Sequence, residues 1–384
     1  MKVIMTGGGT GGHIYPAIAI ARKIQELDPN AEILFVGTRR GLEKDLVPKN
    51  GYPIEFITVS GFYRKNLLKN VKTFRDLAKG IHEAKEILRR FQPDVVIGTG
   101  GYVCGPVVRE AAKMGIPSYI HEQNAFPGVT NKLLARHVRR VFLAFPAAEE
   151  YFRRYSDKLT VTGNPVRREF FEEDRSGARK RLGIPENRFV LLSFGGSQGA
   201  GRINDVLLEA LPRLLREKEV MVLFATGRYY YHSVLEKLEK AGIRPGGNLR
   251  VLEYINDMAD HLMASDLVVS RSGALTVAEI TTCGRAAVLV PSPNVTGNHQ
   301  YYNAKAIADT GGAILIEDKD FTAERLLQAA ENLKNDRDRL SEMESASRRM
   351  AAEDAAGKIA GEIFADLGAD LGKKSAAHGE SGGK

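Results

Sequence analysis

The residues best placed to do chemistry lie in glycine runs that follow short apolar segments. Gly7-Gly8-Gly9-Thr10-Gly11-Gly12-His13 is the first. Gly7, Gly9 and Gly12 satisfy G-x-G-x-x-G, but a dinucleotide fingerprint also wants an acid at the end of the second strand. That segment ends Val36-Gly37-Thr38-Arg39, so only Arg39 is available to a nicotinamide cofactor. No Lys-Ser/Thr follows the glycines, which excludes a Walker A loop. So many glycines let a bulky ligand approach the backbone. His13 then sits at a helix start, either capping the turn or, as a neutral imidazole with an ordinary pKa of about 6.5, accepting a hydroxyl proton.

Gly195-Gly196-Ser197-Gln198-Gly199-Ala200 repeats the device. Backbone N–H groups and a positive helix end would meet a phosphate there, with the Ser197 hydroxyl as a further donor. Ser270-Arg271-Ser272-Gly273 leads into Ala274, Leu275, Thr276, Val277 and Ala278, a second helix N-terminus for a diphosphate. Glu279, one turn on, either accepts from two ribose hydroxyls or stands solvated. Gln300, after Gly297-Asn298-His299, has donors and acceptors suited to sugar hydroxyls. His121-Glu122-Gln123-Asn124 is a polar strand end, either a ligand edge or a buried network. Asp318-Lys319-Asp320 and Asp336-Arg337-Asp338 read as helix caps or charged faces. No metal and no cofactor are therefore expected, and helix dipoles would stabilise a leaving diphosphate.

A further candidate surface runs from Phe62 to Arg90, with nine Lys or Arg against three acids. Leu67, Leu68, Val71 and Phe74 recur at helical spacing among Lys69, Lys72, Arg75 and Lys79. Such a helix can lie on anionic lipid, or pack its stripe on a sheet with its charges in water.

These residues need two scaffolds. With 384 residues, two domains are the default. Strands are expected at Val3–Met5, Glu32–Val36, Ile54–Val59, Asp94–Ile97, Ser118–Ile120, Val141–Leu143 and Leu159–Thr162, with helices over Ile14–Leu27, Gly41–Val47, Asn66–Arg90 and Pro106–Met114. After Gly163-Asn164-Pro165 and the polar stretch Arg167–Arg181 the alternation restarts, from a strand at Phe189–Phe194. Alternating strands and helices imply parallel sheets covered on both faces. The expected division is residues 1–163, 164–345, a C-terminal helix over 346–367 that packs back on the first domain, and a disordered tail over 368–384. Each domain repeats strand, glycines, helix, which suggests two doubly wound Rossmann-like domains facing a cleft.

The two cysteines, Cys104 and Cys283, lack metal spacing and fit a reducing compartment. Lys2 runs straight into Val3-Ile4-Met5, so a secretory signal is not expected, and no apolar run reaches bilayer length. The net charge of +8 admits nucleic acid, anionic lipid or a phosphorylated substrate. The sequence carries no helix-turn-helix, zinc or RNA-binding signature, which sets nucleic acid aside.

Taken in order, GGGTGGH, GTGGYVCGP at residues 98 to 106, HEQN, GNPVR, GGSQGA and SRSGALTVAE resemble the MurG family from Met1 to about Leu367. That family transfers N-acetylglucosamine from its uridine diphosphate donor to undecaprenyl-pyrophosphoryl-MurNAc-pentapeptide. The resemblance implies a glycosyltransferase B fold, inversion at the sugar carbon, and peripheral binding at the cytoplasmic face of the membrane beside the cell-wall and division machinery. It implies that Thr10, Gly11 and Gly12 line the cleft as donor-binding residues, with His13 the acceptor-side base and Glu122 its competitor. Asn124 and Gln300 would contact the donor sugar, Arg167 the nucleotide, Ser197 and the Ala274 to Ala278 turn the diphosphate, Ile255 the uracil and Glu279 the ribose. A UDP-sugar epimerase of the same architecture is the alternative.

Overall fold

The computed structural model describes residues 1–61, 70–172, 174–196 and 198–380, with Asn70, Thr296 and residues 370–380 as backbone only. Leu67, Leu68, Lys69 and Ser197 therefore lie outside the described residues. The chain divides into two units, Met1–Pro165 with Asp354–Lys384, and Val166–Glu353.

The first unit is a seven-stranded sheet: β1 Lys2–Thr6, β2 Glu32–Gly37, β3 Ile54–Phe56, β4 Val95–Gly98, β5 Ser118–Glu122, β6 Arg140–Leu143 and β7 Leu159–Val161. All pairings are parallel, in the order β3-β2-β1-β4-β5-β6-β7. Its helices are α1 Gly11–Leu27, α2 Glu43–Lys49, α3 Asn70–Phe91, α4 Cys104–Lys113 and α5 Val129–Leu134. Strands β1 and β4 read as unbroken apolar runs because helices cover both faces. Val3, Met5 and Ile97 face Ile14, Ile20 and Ile24 of α1, while Ile4 and Val96 face Val107, Val108 and Ala111 of α4.

The second unit has α6 Glu169–Glu172, α7 Arg175–Leu182, α8 Gly201–Leu214, α9 Tyr231–Lys240, α10 Met258–Ala264, α11 Ala274–Cys283, α12 His299–Ala308, α13 Ala323–Asn335 and α14 Arg337–Arg349. They surround β8 Phe189–Phe194, β9 Val220–Ala225, β10 Leu249–Leu252, β11 Leu267–Ser270, β12 Ala286–Leu289 and β13 Ala313–Leu315. These strands are parallel in the order β10-β9-β8-β11-β12-β13. Both sheets thus start in the middle, build one side, then return to build the other. Ligands of such sheets bind where the order reverses, beyond the carboxyl ends of the strands. The reversal falls between β1 and β4 in one unit and between β8 and β11 in the other.

Several expected boundaries move. The polar stretch Arg167–Arg181 is not a bare linker but holds α6 and α7, the latter capped by Asp174, whose Oδ1 accepts from the Gly177 N–H at 2.7 Å. The C-terminal helix expected over 346–367 is broken, because α14, capped by Asp336 through the Arg339 N–H at 2.9 Å, ends at Arg349 and the chain leaves helical form after Met350. The last helix, α15 Ala355–Glu380, returns to the first unit and packs Ile359, Ala360 and Ile363 into its core beside α1. It also runs on through residues 368–380, which were expected to be disordered. Ala and Lys there favour helix, and an already nucleated helix extends at little cost, which outweighs the polar composition.

Candidate functional site

In the first unit the turn after β1 meets the turn after β4. A Cβ on Gly7 would lie 2.1 Å from Thr99 Oγ1, and one on Gly101 would lie 2.5 Å from the Gly8 carbonyl oxygen. The Gly8 N–H donates to Gly100 O at 3.3 Å. Cys104 pins the second turn: its Sγ accepts from the Gly100 N–H at 3.1 Å and donates to Thr6 O at 2.9 Å. Burial pushes that thiol up to about 12, so Cys104 is a fastener and not a nucleophile.

Helix α1 begins at Gly11, three residues earlier than periodicity suggests, which puts His13 in its first turn. The N-cap Thr10 makes no side-chain cap bond, and Gly9 and Thr10 are exposed while Gly11, Gly12 and His13 are half-buried. His13 Nδ1 lies 3.0 Å from Gly8 O and 3.4 Å from Thr10 Oγ1. A carbonyl oxygen only accepts, so Nδ1 carries the proton and Nε2 keeps its lone pair in the neutral ring. Gly100 (φ +110°) makes room for the ring, since a Cβ there would lie 2.9 Å from Nε2.

Glu122 ends β5 and is buried. Its Oε1 accepts from Asn124 N at 3.0 Å and Asn124 Nδ2 at 3.1 Å, and its Oε2 from Gly128 N at 3.0 Å and Asn131 Nδ2 at 2.9 Å. Four donors already use this carboxylate to shape the loop that carries Asn124. His121 is buried too, donating from Nε2 to Gly163 O and accepting from Gln123 Nε2, both at 3.0 Å. Burial lowers its pKa to about 4, so it stays neutral. Gln123 continues to Thr99 O at 2.7 Å. Within HEQN, then, three residues form a buried network and Asn124 is the half-buried member.

In the second unit, the turn between β8 and α8 locks into the turn after β9. A Cβ on Gly199 (φ +87°) would lie 2.1 Å from Thr226 O, and one on Gly227 (φ +82°) 2.1 Å from Gly199 N. Buried Asn204 braces the pair, donating to Thr226 O at 2.9 Å. Across the reversal, α11 starts at Ala274 after Gly273, which makes no side-chain cap bond. Val277 is the first residue whose N–H closes onto the helix, at Gly273 O, 2.9 Å. Ala274, Leu275 and Thr276 precede that closure, so their N–H groups form the positive helix end. Val277 is different from its expected donor contact: its N–H is spent and its side chain is buried at 2% exposure, so it supports the turn from below. Ala278, one residue further, lies within the helix and is half-buried.

Glu279 is half-buried on α11, and α6 packs against this helix. Desolvation pushes its carboxyl up to about 7, with Arg167 pulling it down and Glu169 pushing it up. Arg167 pairs with Glu169 at 2.8 Å and stacks over Phe170 at 5.1 Å, so the expected nucleotide contact does stand near Glu279. Gln300 opens α12. Its Oε1 accepts from Ser292 N at 2.9 Å, so the amide N–H groups are what it offers a ligand. Ser272, buried, donates to Gln300 O at 2.8 Å, which ties α12 to the α11 turn. Ile255 lies beyond the carboxyl end of β10 with its side chain buried, so only its backbone can meet a base.

Within the two Asp-x-Asp pairs, Asp318 pairs with Arg271 at 2.5 Å and Asp336 caps α14. Sequence reasoning missed Glu43, Gly100, Asn204 and Thr226. Glu43 meets Gly9, Gly100 meets Gly8 and Asn204 meets Thr226 across stretches of chain that no local pattern bridges.

On the membrane question, α3 is divided. Ala84, Ile87 and Leu88 are buried against the sheet, whereas Val71 and Phe74 are 70% and 60% exposed beside exposed Lys72, Arg75 and Lys79. Among the described residues no helix is long and apolar enough to cross a membrane.

Comparisons with known proteins agree with this geometry. Residues 3–143 match the glycosyltransferase family 28 N-terminal domain, and residues 190–359 match its C-terminal domain. The chain is 46% identical over 359 residues to the UDP-N-acetylglucosamine–N-acetylmuramyl-(pentapeptide) pyrophosphoryl-undecaprenol N-acetylglucosamine transferase of Thermoanaerobacter sp. (strain X514), covering 94% of this chain and 98% of that one. The crystal structure of Acinetobacter baumannii MurG superimposes with a TM-score of 0.77 at 31% identity, over 94% of this chain and 99% of the other. A UDP-N-acetylglucosamine 2-epimerase shares the fold alone, with a TM-score of 0.64 at 13% identity over 97% of each chain. The chain therefore belongs to the MurG family of N-acetylglucosamine transferases, enzymes with two parallel-sheet domains of the glycosyltransferase B type.

Proposed function

We propose that this enzyme moves N-acetylglucosamine from UDP-N-acetylglucosamine to the 4-hydroxyl of the muramyl sugar of undecaprenyl-pyrophosphoryl-MurNAc-pentapeptide, converting lipid I to lipid II. The observation that supports the mechanism is the His13 Nδ1 bond to Gly8 O, 3.0 Å, which favours Nε2 as the base. Nε2 takes the hydroxyl proton as the oxygen attacks the anomeric carbon, and UDP leaves in a single inverting displacement. The turn at Gly195–Ala200 and the first turn of α11 stabilise the charge gathering on the diphosphate. Thr10, Gly11 and Gly12 contact the donor. Asn124 and the Gln300 amide hold the donor sugar, Glu279 the ribose, Arg167 the nucleotide and the Ile255 backbone the uracil. Glu122, with four hydrogen bonds accepted, positions Asn124 and leaves the base role to His13.

Incubating the enzyme with labelled UDP-N-acetylglucosamine, with and without the lipid-linked acceptor, tests the reaction class. Label should reach lipid only when acceptor is present, and a chelator should change nothing. Epimerised donor without acceptor would contradict it.

Glu279 gives the nucleotide step a pH dependence. Ribose hydroxyls donate to the carboxylate, so UDP favours the ionised form and lowers a pKa that starts at about 7. UDP affinity should therefore fall about tenfold from pH 8 to pH 6, and calorimetry should show proton release near neutrality. Glu279→Gln should lose that component and leave only the titration of UDP itself. Without ligand the sign is set by the same shift: the stability Glu279 contributes is present at low pH and lost as pH rises through about 7.

The exposed start of α3 is the reading's membrane contact, at the cytoplasmic face, where the lipid acceptor and the division machinery lie. Val71 and Phe74 would enter the interface while Lys72, Arg75 and Lys79 meet anionic headgroups. Val71→Ser with Phe74→Ser should weaken binding to anionic vesicles roughly thirtyfold, since each large apolar side chain contributes on the order of 1 kcal/mol when partly buried. Activity on a detergent-solubilised, short-chain acceptor should be unchanged. Equal vesicle binding by the variant would remove this face.

A further inference from the structure

The chemistry at His13 depends on which ring nitrogen holds the proton, and a buried carboxylate bears on that choice. Glu43 opens α2 and is 0% exposed. Its Oε1 accepts from the Thr38 N–H at 2.9 Å and the Thr38 hydroxyl at 2.7 Å, and its Oε2 accepts from the Gly9 N–H at 2.9 Å. The N–H of Gly9 and the carbonyl of Gly8 belong to one peptide group. That carbonyl is the acceptor of His13 Nδ1. Carboxylate, peptide and imidazole therefore stand in series through a single amide.

The seat of this carboxylate is built by glycines from three places. A Cβ on Gly8 would lie 2.6 Å from Glu43 Oε1, one on Gly41 1.9 Å from Oε2, and one on Gly37 2.6 Å from Cγ. The acid absent from the end of β2 is thus supplied six residues later, and it faces the glycine turn. An anion accepting at the N–H end of an amide draws electron density onto its oxygen and strengthens the bond accepted there. The three partners of Glu43 are neutral donors, so its charge is not cancelled by them.

We propose that Glu43 is a positioning residue that acts through the Gly8–Gly9 peptide to keep the His13 proton on Nδ1 and to make Nε2 more basic. This rests on the reading of His13 as the base. During transfer Nε2 gains the acceptor's hydroxyl proton and the ring becomes an imidazolium. The Nδ1 proton stays where it is, and the polarised carbonyl, with the carboxylate behind it, stabilises the new charge. A carboxylate that merely fastens two loops would leave tautomer and basicity alone.

The test combines nitrogen-15 spectra of the His13 ring in the full-length enzyme at alkaline pH with kinetics of His13→Ala, Glu43→Gln and the double variant. The wild type should show the proton on Nδ1. Glu43→Gln should populate the Nε2–H form, lower kcat about 10–100-fold by analogy with other groups that orient a functional histidine, and move the acid limb of kcat/KM to lower pH. UDP affinity should not change. The double variant should be no slower than His13→Ala, because residues acting as one unit are not additive. A wild-type ring protonated on Nε2, or an equal loss from Glu43→Gln with and without His13, overturns the proposal. Full turnover by His13→Ala would overturn the base reading instead, while the tautomer measurement still judges Glu43. If Glu43→Gln fails to fold, Glu43→Asp, which keeps the anion but shortens its reach, should shift tautomer and rate in the same direction by less.

Discussion

His13→Ala should lower kcat by about 10²–10⁴, the usual worth of a positioned general base. The fall should leave UDP affinity unchanged, because every group assigned to the nucleotide belongs to Val166–Glu353 while His13 belongs to the other unit. His13→Gln should recover little, since an amide offers no basic lone pair at Nε2. The expected loss is larger than a capping role explains. Thr10 makes no side-chain cap bond, and losing the ring's bond to Gly8 O would cost about 0.5–1.5 kcal/mol in stability. Turnover within a factor of a few of wild type, in a variant that still binds UDP, would remove His13 from the chemistry.

Gly199→Ala should weaken UDP binding roughly 10–100-fold. The residue has φ +87°, where a side chain is strained, and its Cβ would meet a backbone oxygen, Thr226 O, at 2.1 Å. Strain of this type costs about 1–3 kcal/mol, and backbone cannot swing aside as a flexible side chain would. The turn between β8 and α8 would have to move away from Gly227, and with it the N–H groups assigned to the diphosphate. Gly196→Ala is the instructive comparison. It shares a positive φ of 86°, yet a Cβ there meets nothing within 4 Å among the described residues, so it should cost the strain alone. Equal UDP affinity for Gly199→Ala and wild type, by calorimetry, would mean that this turn does not hold the phosphates.

Much of this is legible in the sequence. An apolar run, then glycines, then a helical pattern is a local signal, and it marks both reversal points, at Gly7–His13 and Gly195–Ala200. The turn at Ser272–Gly273 was legible for the same reason. What sequence could not assign was the division of labour inside each polar cluster. Glu122 reads as a competitor to His13 from its position at a strand end, and only the structure shows that four donors already occupy its carboxylate. Val277 sat in a promising helix start, but its place in the turn turns the side chain inward and spends the N–H.

Contacts between residues far apart in the chain were invisible. Glu43 reaches Gly9 across 34 positions, and Cys104 reaches Thr6 across 98. Composition misled at the C-terminus, where glycines and lysines suggested disorder but α15 continues to Glu380. It also hid the split in α3. One periodic stripe serves two ends, with Ile87 and Leu88 in the core and Val71 and Phe74 turned to solvent.

A crystal structure of the enzyme with UDP bound would test the donor assignment most directly. The diphosphate should lie against Gly195–Ala200 and the N–H groups of Leu275 and Thr276, with both ribose hydroxyls on Glu279. A nucleotide bound at the glycine turn of Gly7–Gly12 instead, with Glu279 untouched, would contradict the account.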